Sequence, residues 1–173
     1  MGLSEDLSDQ FNKFMEQTQT SAEMNVTFSI MVLGTNIWSL NASPCEFTIP
    51  REILPTYERF QQYYQTKFSA RKLTWLWNYS KNELRMNYLN QKYILMASSY
   101  QMAVLVQYND SDSLSLDDLV RVTGITKDLL SPVLATLLEF KLLIGEGKER
   151  YNLNYAFKFE KVCSTIVLRG LPH

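Results

Sequence analysis

The residue types that most often carry out acid–base or nucleophilic catalysis are sparse in this chain of 173 residues. Its one histidine is His173, the last residue. A Ser–His–acid or Cys–His arrangement would therefore depend on a chain terminus, and termini are usually frayed. Asp117 and Asp118 are adjacent carboxylates, but their place just after Ser115 is typical of acids in the first turn of a helix. The sequence thus predicts a protein that is not an enzyme.

Metal and cofactor sites are not predicted either. Cys45 and Cys163 are far apart in the sequence, and two cysteines with a terminal histidine do not make a zinc site. The six glycines are scattered and form neither a phosphate-binding loop nor a dinucleotide-binding motif. Two such cysteines fit reduced thiols in the cytoplasm or the nucleus, and a single disulfide between them is the alternative.

The overall composition is that of a folded protein with no general attraction to polyanions. Apolar residues make up 46% of the chain and aromatic residues 13%, which is enough to bury a core at this length. The formal net charge is −1. Such a balance gives no broad electrostatic pull toward nucleic acid or an anionic membrane, and no apolar run in the sequence is long enough to cross a bilayer.

The first half of the chain is predicted to contain two helices and several strands. Apolar residues at helical spacing predict a helix over residues 3–17. Alternation predicts a strand over residues 25–33, and residues 46–49 are a shorter strand candidate. Pro50 and Pro55 mark the entry of a second helix. The aromatic stripe of this helix consists of Ile53, Tyr57, Phe60, Tyr64 and Phe68.

The stretch FSARKLTWLWN, residues 68–78, places two of the three tryptophans two residues apart, directly behind a basic pair. Its alternation predicts a strand that has Trp75 and Trp77 on one face and follows Arg71 and Lys72. Two further strands are predicted from alternating apolar residues, Leu84, Met86 and Tyr88 in one and Tyr93, Leu95 and Ala97 in the next. We therefore expect a small, mainly antiparallel sheet packed by the aromatic helix, with both tryptophans in the core.

A second module begins where the composition changes near Ala97. Residues 100–108 are almost wholly apolar and predict a short buried helix. Ser115 caps the next helix, with Asp118 in a variant of the capping box, and Gly124 ends it.

A third helix is capped by Thr126 and contains Pro132. The proline leaves two alternatives, a kink in this helix or a true start at Ser131. Alternation then predicts a strand over residues 151–159, and a last strand contains Ile166 and Leu168. Three helices followed by a hairpin are the order of a winged helix. Its third helix offers few outward basic or amide groups, so we expect a packing module and not a DNA reader.

Five stretches of the chain carry a more specific signal. They are DLSDQFNKF at residues 6–14, FSIMVLGTNIW at 28–38, FTIPREI at 47–53, YQTKFSARKLTW at 64–75 and NELRMNYLNQKYILMASSYQMAVLVQYN at 82–109. Together they resemble the cullin family, in its C-terminal cullin homology region, and the order and spacing agree over nearly the whole chain. Within the family the resemblance is strongest to the cullins of SCF-type ligases. Ala70 stands where the SGRKLTW signature often has glycine, which implies a small backbone change.

The resemblance implies an α+β fold class and three domains. Residues 1–20 would be the last helix of a cullin-like four-helix bundle, residues 21–97 a cullin-like α/β domain with a mainly antiparallel sheet, and residues 98–173 a winged-helix-like domain. The adaptor-binding repeats of cullins would lie outside this sequence. No lysine here matches the stretch that accepts a ubiquitin-like modifier in the family.

The resemblance also implies a function, that of a non-enzymatic scaffold in a cullin–RING ubiquitin ligase. In the family, a strand of the small zinc-containing RING-box protein joins the cullin sheet, and its RING recruits a ubiquitin-conjugating enzyme. Such β-augmentation satisfies the backbone groups of an unpaired sheet edge. The residues expected near that interface are Phe28, Ile30, Val32, Trp75, Trp77, Leu84 and Met86.

Two other hypotheses stay open. A truncated cullin-like protein that binds a RING-box protein without adaptors would compete with full cullins as a decoy. A winged-helix nucleic-acid binder is disfavoured by the charge balance and by the apolar third helix. The expected partners thus include no nucleic acid and no membrane, and the expected location is the cytoplasm, the nucleus or both.

Overall fold

A computed structural model of the chain describes residues 3–17, 29–33, 47–147, 149–159 and 165–167. The described residues form helices together with two small sheets, which confirms the α+β fold class. By packing, the chain divides into two compact units. Unit 1 comprises Met1–Ala42 with Pro50–Trp75, and unit 2 comprises Ser43–Ile49 with Leu76–His173. The three-domain division stays a prediction.

Unit 1 is built on two helices, α1 (Leu3–Gln17) and α2 (Leu54–Lys67), which confirms both helix predictions. Pro55 lies in the first turn of α2, where its missing N–H has no intrahelical partner to lose. The core of the unit consists of Leu7, Phe11, Met15, Phe60 and Tyr64. Phe11 and Phe60 meet edge to face, with their ring centroids 5.2 Å apart. The aromatic stripe of α2 therefore packs on α1.

Residues 29–33 lie against α1 without forming a strand, so the strand predicted over 25–33 is wrong in its described part. The Ser8 hydroxyl donates to the Ile30 carbonyl at 2.7 Å and accepts from the Ile30 N–H at 3.0 Å. The Ser8 hydroxyl thus satisfies both backbone groups of Ile30, which a neighbouring strand would otherwise satisfy. Ile30 and Val32 pack on the core of unit 1, whereas Met31 is 71% exposed.

The strand predicted over residues 73–78 is also wrong. Residues 71–76 form neither helix nor ladder, and Trp77–Tyr79 is a short 3-10 helix. The two tryptophans belong to different cores. Trp75 stacks on Tyr57 of α2 at a centroid distance of 3.9 Å, whereas Trp77 contacts Phe47 in unit 2 at 4.9 Å. The close spacing of the tryptophans therefore marks the boundary between the units, and not one face of a strand.

The first sheet of unit 2 has the order β1-β2-β6. β1 (Lys81–Met86) pairs antiparallel with β2 (Tyr93–Ser98), as predicted, and β2 pairs in parallel with β6 (Thr165–Val167). α3 (Ser99–Val106) follows β2 directly and packs on this sheet. The helix that covers the sheet is thus α3. The sequence had predicted instead that the aromatic helix, α2, would cover it.

The second module of unit 2 has winged-helix order, as predicted. After α3 come β3 (Ser113–Ser115), α4 (Leu116–Thr123), α5 (Lys127–Glu139), β4 (Leu143–Glu146) and β5 (Arg150–Leu153). The three strands form an antiparallel sheet in the order β3-β5-β4. The strand predicted over 151–159 is corrected, because β5 ends where the Asn154 N–H bonds the Leu142 carbonyl and the chain turns away.

The predicted helix signals of this module are largely confirmed. Ser115 and Asp118 form a reciprocal capping box at α4, and Gly124 ends α4 in the left-handed conformation, with φ of 70°. α5 begins after Thr126 and continues through Pro132. Of the two alternatives, a start at Ser131 is therefore wrong. The largest fully buried side chains of the unit are Tyr93, Val104, Leu119, Ile125, Leu130, Leu134, Leu137, Leu142 and Leu143.

The strand candidate at residues 46–49 is wrong in its described part, 47–49. This segment instead lies across the end of α4. The Thr48 N–H donates to the Thr123 carbonyl at 2.7 Å, and Phe47 is buried against Trp77 and Tyr100. A single backbone bond and an aromatic anchor hold the segment, so it needs no sheet partner.

Candidate partner-binding site

Three consecutive residues, beginning with the second residue of the basic pair, have backbone groups without a hydrogen-bond partner among the described residues. In the part of the chain that the structure describes, Lys72, Leu73 and Thr74 form no backbone hydrogen bond. Before them, the Arg71 N–H donates to the Phe68 carbonyl, and after them the Leu76 carbonyl accepts from the Tyr79 N–H. Lys72 and Thr74 are exposed, whereas Leu73 packs partly on the core of unit 1. Such alternation leaves the backbone available to an incoming strand.

A second unpaired backbone row lies at the edge of the first sheet. Among the described strands, β1 has a neighbour on one side only. Its Lys81, Glu83 and Arg85 point away from the core, whereas Leu84 and Met86 lie on the buried face. Charged side chains on an edge strand are a common means of discouraging further pairing. Residues 72–74, with one charge and an apolar side chain at their centre, are the more receptive backbone.

The structure divides the residues predicted near the interface between the two cores. Ile30, Val32 and Trp75 pack in unit 1, and Trp77, Leu84 and Met86 pack in unit 2. The remaining residue, Phe28, lies outside the described residues.

Trp75 is partly buried and supports the chain beside the unpaired segment. Trp75 contacts Tyr57 and, at a centroid distance of 5.9 Å, Phe60. Burial raises the pKa of the Tyr57 hydroxyl above its ordinary value, as expected of a ring packed in an apolar core. Trp75 therefore fixes the C-terminal side of residues 72–74 on α2. That side chain is a structural support and carries no chemistry.

The carboxylates considered for catalysis have structural partners. Asp118 accepts hydrogen bonds from Ser115 and from the Arg121 guanidinium, which lower the pKa of Asp118 to about 2. Asp117 forms an ion pair with Lys127 at 2.7 Å. Within the described ranges, no cluster of three or more His, Cys, Asp or Glu side chains could hold a metal ion. No described helix is long and apolar enough to span a bilayer.

The third helix of the winged-helix module, α5, has little to offer to a nucleic acid. Its first residue, Lys127, already binds Asp117, and its other exposed charged groups are the acids Asp128 and Glu139. A recognition helix instead presents basic and amide groups to phosphates and base edges. The surface of α5 therefore disfavours the nucleic-acid hypothesis.

The fold and this site define a class of protein, an α+β protein with a winged-helix module and an unpaired backbone segment suited to a partner strand. Residues 32–162 match the family model of the cullin alpha+beta domain. The chain belongs to the cullin family, which confirms the resemblance found in the sequence.

Individual relatives agree with this assignment. The chain is 34% identical over 166 residues to Cullin-1 of Schizosaccharomyces pombe, covering 90% of this chain and 22% of that protein. It is also 34% identical over 173 residues to Cullin-1 of Dictyostelium discoideum, covering 93% of this chain and 22% of that protein. Identity to Cullin-2 of Caenorhabditis elegans is 31% over 159 residues. The chain thus spans about a fifth of the length of these relatives.

Proposed function

We propose that this chain is the scaffold core of a cullin–RING ubiquitin ligase and binds a RING-box protein by β-augmentation. It takes no part in the chemistry of ubiquitin transfer, which belongs to the conjugating enzyme that the RING-box protein recruits. A cytoplasmic or nuclear location goes with this proposal. Family membership supports the scaffold role, and the three unpaired backbone residues beside Trp75 support the mode of binding.

The unpaired segment carries the structural part of the proposal. A strand laid beside Lys72, Leu73 and Thr74 would supply the donors and acceptors that their backbone groups lack. Each such bond contributes about 0.5–1.5 kcal/mol net. The partner's apolar side chains would meet Leu73 at the margin of the core of unit 1, and its polar side chains would lie beside Lys72 and Thr74.

Coexpression with a RING-box protein tests the proposal. We expect a stable one-to-one complex that survives size-exclusion chromatography, because the partner strand adds both hydrogen bonds and apolar burial. A soluble, well-folded chain that elutes alone when coexpressed would contradict it.

A backbone variant tests the place of binding. Thr74→Pro removes an N–H that donates no hydrogen bond to any described residue. We therefore expect little change in the melting temperature of the free chain but weaker retention of the RING-box protein. Gln91→Pro, at an exposed position of the loop between β1 and β2, is the matched control and should retain the partner. Equal retention by both variants would move the strand site away from residue 74.

A further inference from the structure

Residues 47–49 pack in unit 2, although the chain on both sides of this part of the sequence packs in unit 1. Unit 1 comprises Met1–Ala42 and Pro50–Trp75, and Ser43–Ile49 is assigned to unit 2 together with the chain from Leu76 onward. The chain therefore crosses between the units at residues 42–43, 49–50 and 75–76. The first two of these crossings flank the stretch that contains residues 47–49.

Few contacts hold residues 47–49 in place. The Thr48 N–H donates to the Thr123 carbonyl at 2.7 Å, and no other hydrogen bond joins residues 47–49 to a described residue. Phe47 is 8% exposed and meets Trp77 and Tyr100 edge to face, at centroid distances of 4.9 Å and 5.7 Å. One hydrogen bond and one buried ring thus anchor the segment.

The end of α4 that receives the segment is held together by bonds of its own. The Thr123 hydroxyl donates to the Leu119 carbonyl at 2.6 Å and accepts from the Ile125 N–H at 3.2 Å. Only the Thr123 carbonyl bonds the segment, and it is one of the last carbonyls of the helix, which have no intrahelical partner. Water can take the place of Thr48 there, so the helix end does not need the segment in order to stay folded.

The size of these contacts sets how often the segment opens. One net hydrogen bond and the burial of one phenylalanine together favour the closed over the open form roughly 10²- to 10³-fold. Folding of a whole small domain is favoured by about 10³- to 10⁸-fold. Buried residues of α5 such as Leu134 and Leu137 lose their hydrogen bonds only when unit 2 unfolds. Opening of residues 47–49 is therefore the more frequent event.

We propose that residues 47–49 are a conformational latch, which opens and closes while the rest of unit 2 stays folded. With the latch closed, the chain links the two units at three crossings, and with it open the crossing at residues 75–76 alone links them. Opening also uncovers the faces of Trp77 and Tyr100 on which Phe47 packs. A partner that binds one state of the latch shifts the equilibrium toward that state. The latch needs no RING-box protein, so its test is independent of the proposed function.

Native-state amide hydrogen exchange of the full chain in increasing urea tests the latch. We expect the Thr48 amide, after correction for its intrinsic rate, to exchange at least about tenfold faster than the amides of Leu134 and Leu137. Its rate should be nearly independent of urea, because a small opening exposes little surface, whereas the rates in α5 should rise steeply. A Thr48 amide as slow as those of α5, or with the same urea dependence, would overturn the proposal.

A matched pair of phenylalanine variants separates opening of the latch from unfolding of unit 2. Phe157 is buried like Phe47, but it packs on Tyr93, at a centroid distance of 5.5 Å. We expect Phe157→Ala to accelerate exchange in α5 about tenfold or more and to change the Thr48 amide about twofold at most. Phe47→Ala should accelerate the Thr48 amide about tenfold or more, because it removes the anchor of the latch.

Two outcomes of the variants would contradict the latch. Equal acceleration of Thr48 and of α5 by Phe157→Ala would mean that residues 47–49 open only when unit 2 unfolds. An unchanged Thr48 amide in Phe47→Ala would mean that the buried ring does not hold the segment. Circular dichroism checks that each variant is folded, and the urea dependence of the wild type decides alone where a variant is not.

Discussion

At the residue scale, Gly124 shows how a single position joins two segments of unit 2. It ends α4 with φ of 70°, and a Cβ there would lie 3.2 Å from the Thr48 hydroxyl and 3.5 Å from the Thr48 nitrogen. Only glycine adopts this conformation without strain and also allows residues 47–49 to approach so closely. The sequence identified the helix end at this glycine, but it contained no signal for the segment that crosses it.

Replacing Gly124 tests both effects. We expect Gly124→Ala to lower the free energy of unfolding by about 1–2 kcal/mol for the left-handed backbone, with a further loss from the contact with Thr48. Gly147→Ala is the control, because Gly147 has φ of 64° but nothing within 4 Å of the added methyl. Urea unfolding measures both. Equal losses in the two variants would show that the contact with Thr48 costs nothing.

The Asp118 carboxylate predicts a dependence of stability on pH. The hydroxyl of Ser115 and then the guanidinium of Arg121 hold the pKa of Asp118 at about 2, below its ordinary 3.8. A carboxylate with a lowered pKa in the folded state stabilises the protein above its unfolded pKa. This contribution is lost as the pH falls from about 4 to about 2.

Asp118→Asn removes that contribution. We expect the variant to be less stable than the wild type at neutral pH and the difference to shrink between pH about 4 and about 2. Denaturant unfolding across this range measures it, with Asp128→Asn in the first turn of α5 as the control for loss of a helix-terminal charge. A difference that stays constant down to pH about 2 would contradict the role of the charged carboxylate.

At the scale of elements, the local helix signals were sufficient where the chain supplies its own partners. The apolar periodicity of α1, Pro55 in α2, and the Ser115 and Gly124 caps all act within a few residues, and each is present as predicted. Strands were predicted less well, because pairing needs a neighbour that alternation cannot identify. Residues 71–76 have the alternation of a strand but no ladder among the described residues.

A groove between α1 and α2, with Phe14, Tyr63 and Lys67 in its lining, was not predicted from the sequence, for a different reason. Periodicity correctly assigned the buried face of α2, but the outer face with Tyr63 and Lys67 has no motif of its own. The acid-free stretch of residues 59–82 was the one signal in the sequence that could have indicated a charged surface there. Its meaning depends on α1, which supplies Phe14 from more than forty positions earlier.

The helix caps of unit 2 give a prediction at the element scale. Ser115 forms a reciprocal capping box at α4, whereas Thr126 precedes α5 without a side-chain cap hydrogen bond. We expect Ser115→Ala to lower the free energy of unfolding by about 1 kcal/mol and Thr126→Ala to change it by a few tenths at most. Urea unfolding of both variants is the measurement. A loss at Thr126 equal to that at Ser115 would mean that residue type, and not the capping bond, decides stability here.

At the scale of the whole molecule, the chain has two cores, and the boundary runs between Trp75 and Trp77. Trp75 packs on α2 in unit 1, and Trp77 packs on Phe47 in unit 2. We expect Trp75→Ala to accelerate amide hydrogen exchange chiefly in α2. We expect Trp77→Ala to accelerate it chiefly in α3, because Trp77 packs on Phe47 and Phe47 contacts Tyr100 of α3. Exchange followed by mass spectrometry measures both. Identical patterns in the two variants would contradict two separate cores.

The family assignment and the unpaired backbone converge on one proposal, a scaffold completed by a partner strand. Family membership alone does not locate the contact, and the predicted interface residues are divided between two cores. The three residues before Trp75 give the proposal a definite place, because their backbone groups have no hydrogen-bond partner within the described ranges. Residues 72–74 carry one charged side chain, whereas the edge strand β1 presents three, and this difference favours binding at residues 72–74.

The most direct measurement is amide hydrogen exchange of the chain alone and in complex with a RING-box protein. We predict that the amides of Lys72, Leu73 and Thr74 include groups that exchange rapidly in the free chain and become protected in the complex. The exposed residues 90–92 of the loop between β1 and β2 should exchange equally in both. Protection confined to β1, or a complex in which residues 72–74 still exchange rapidly, would contradict the account.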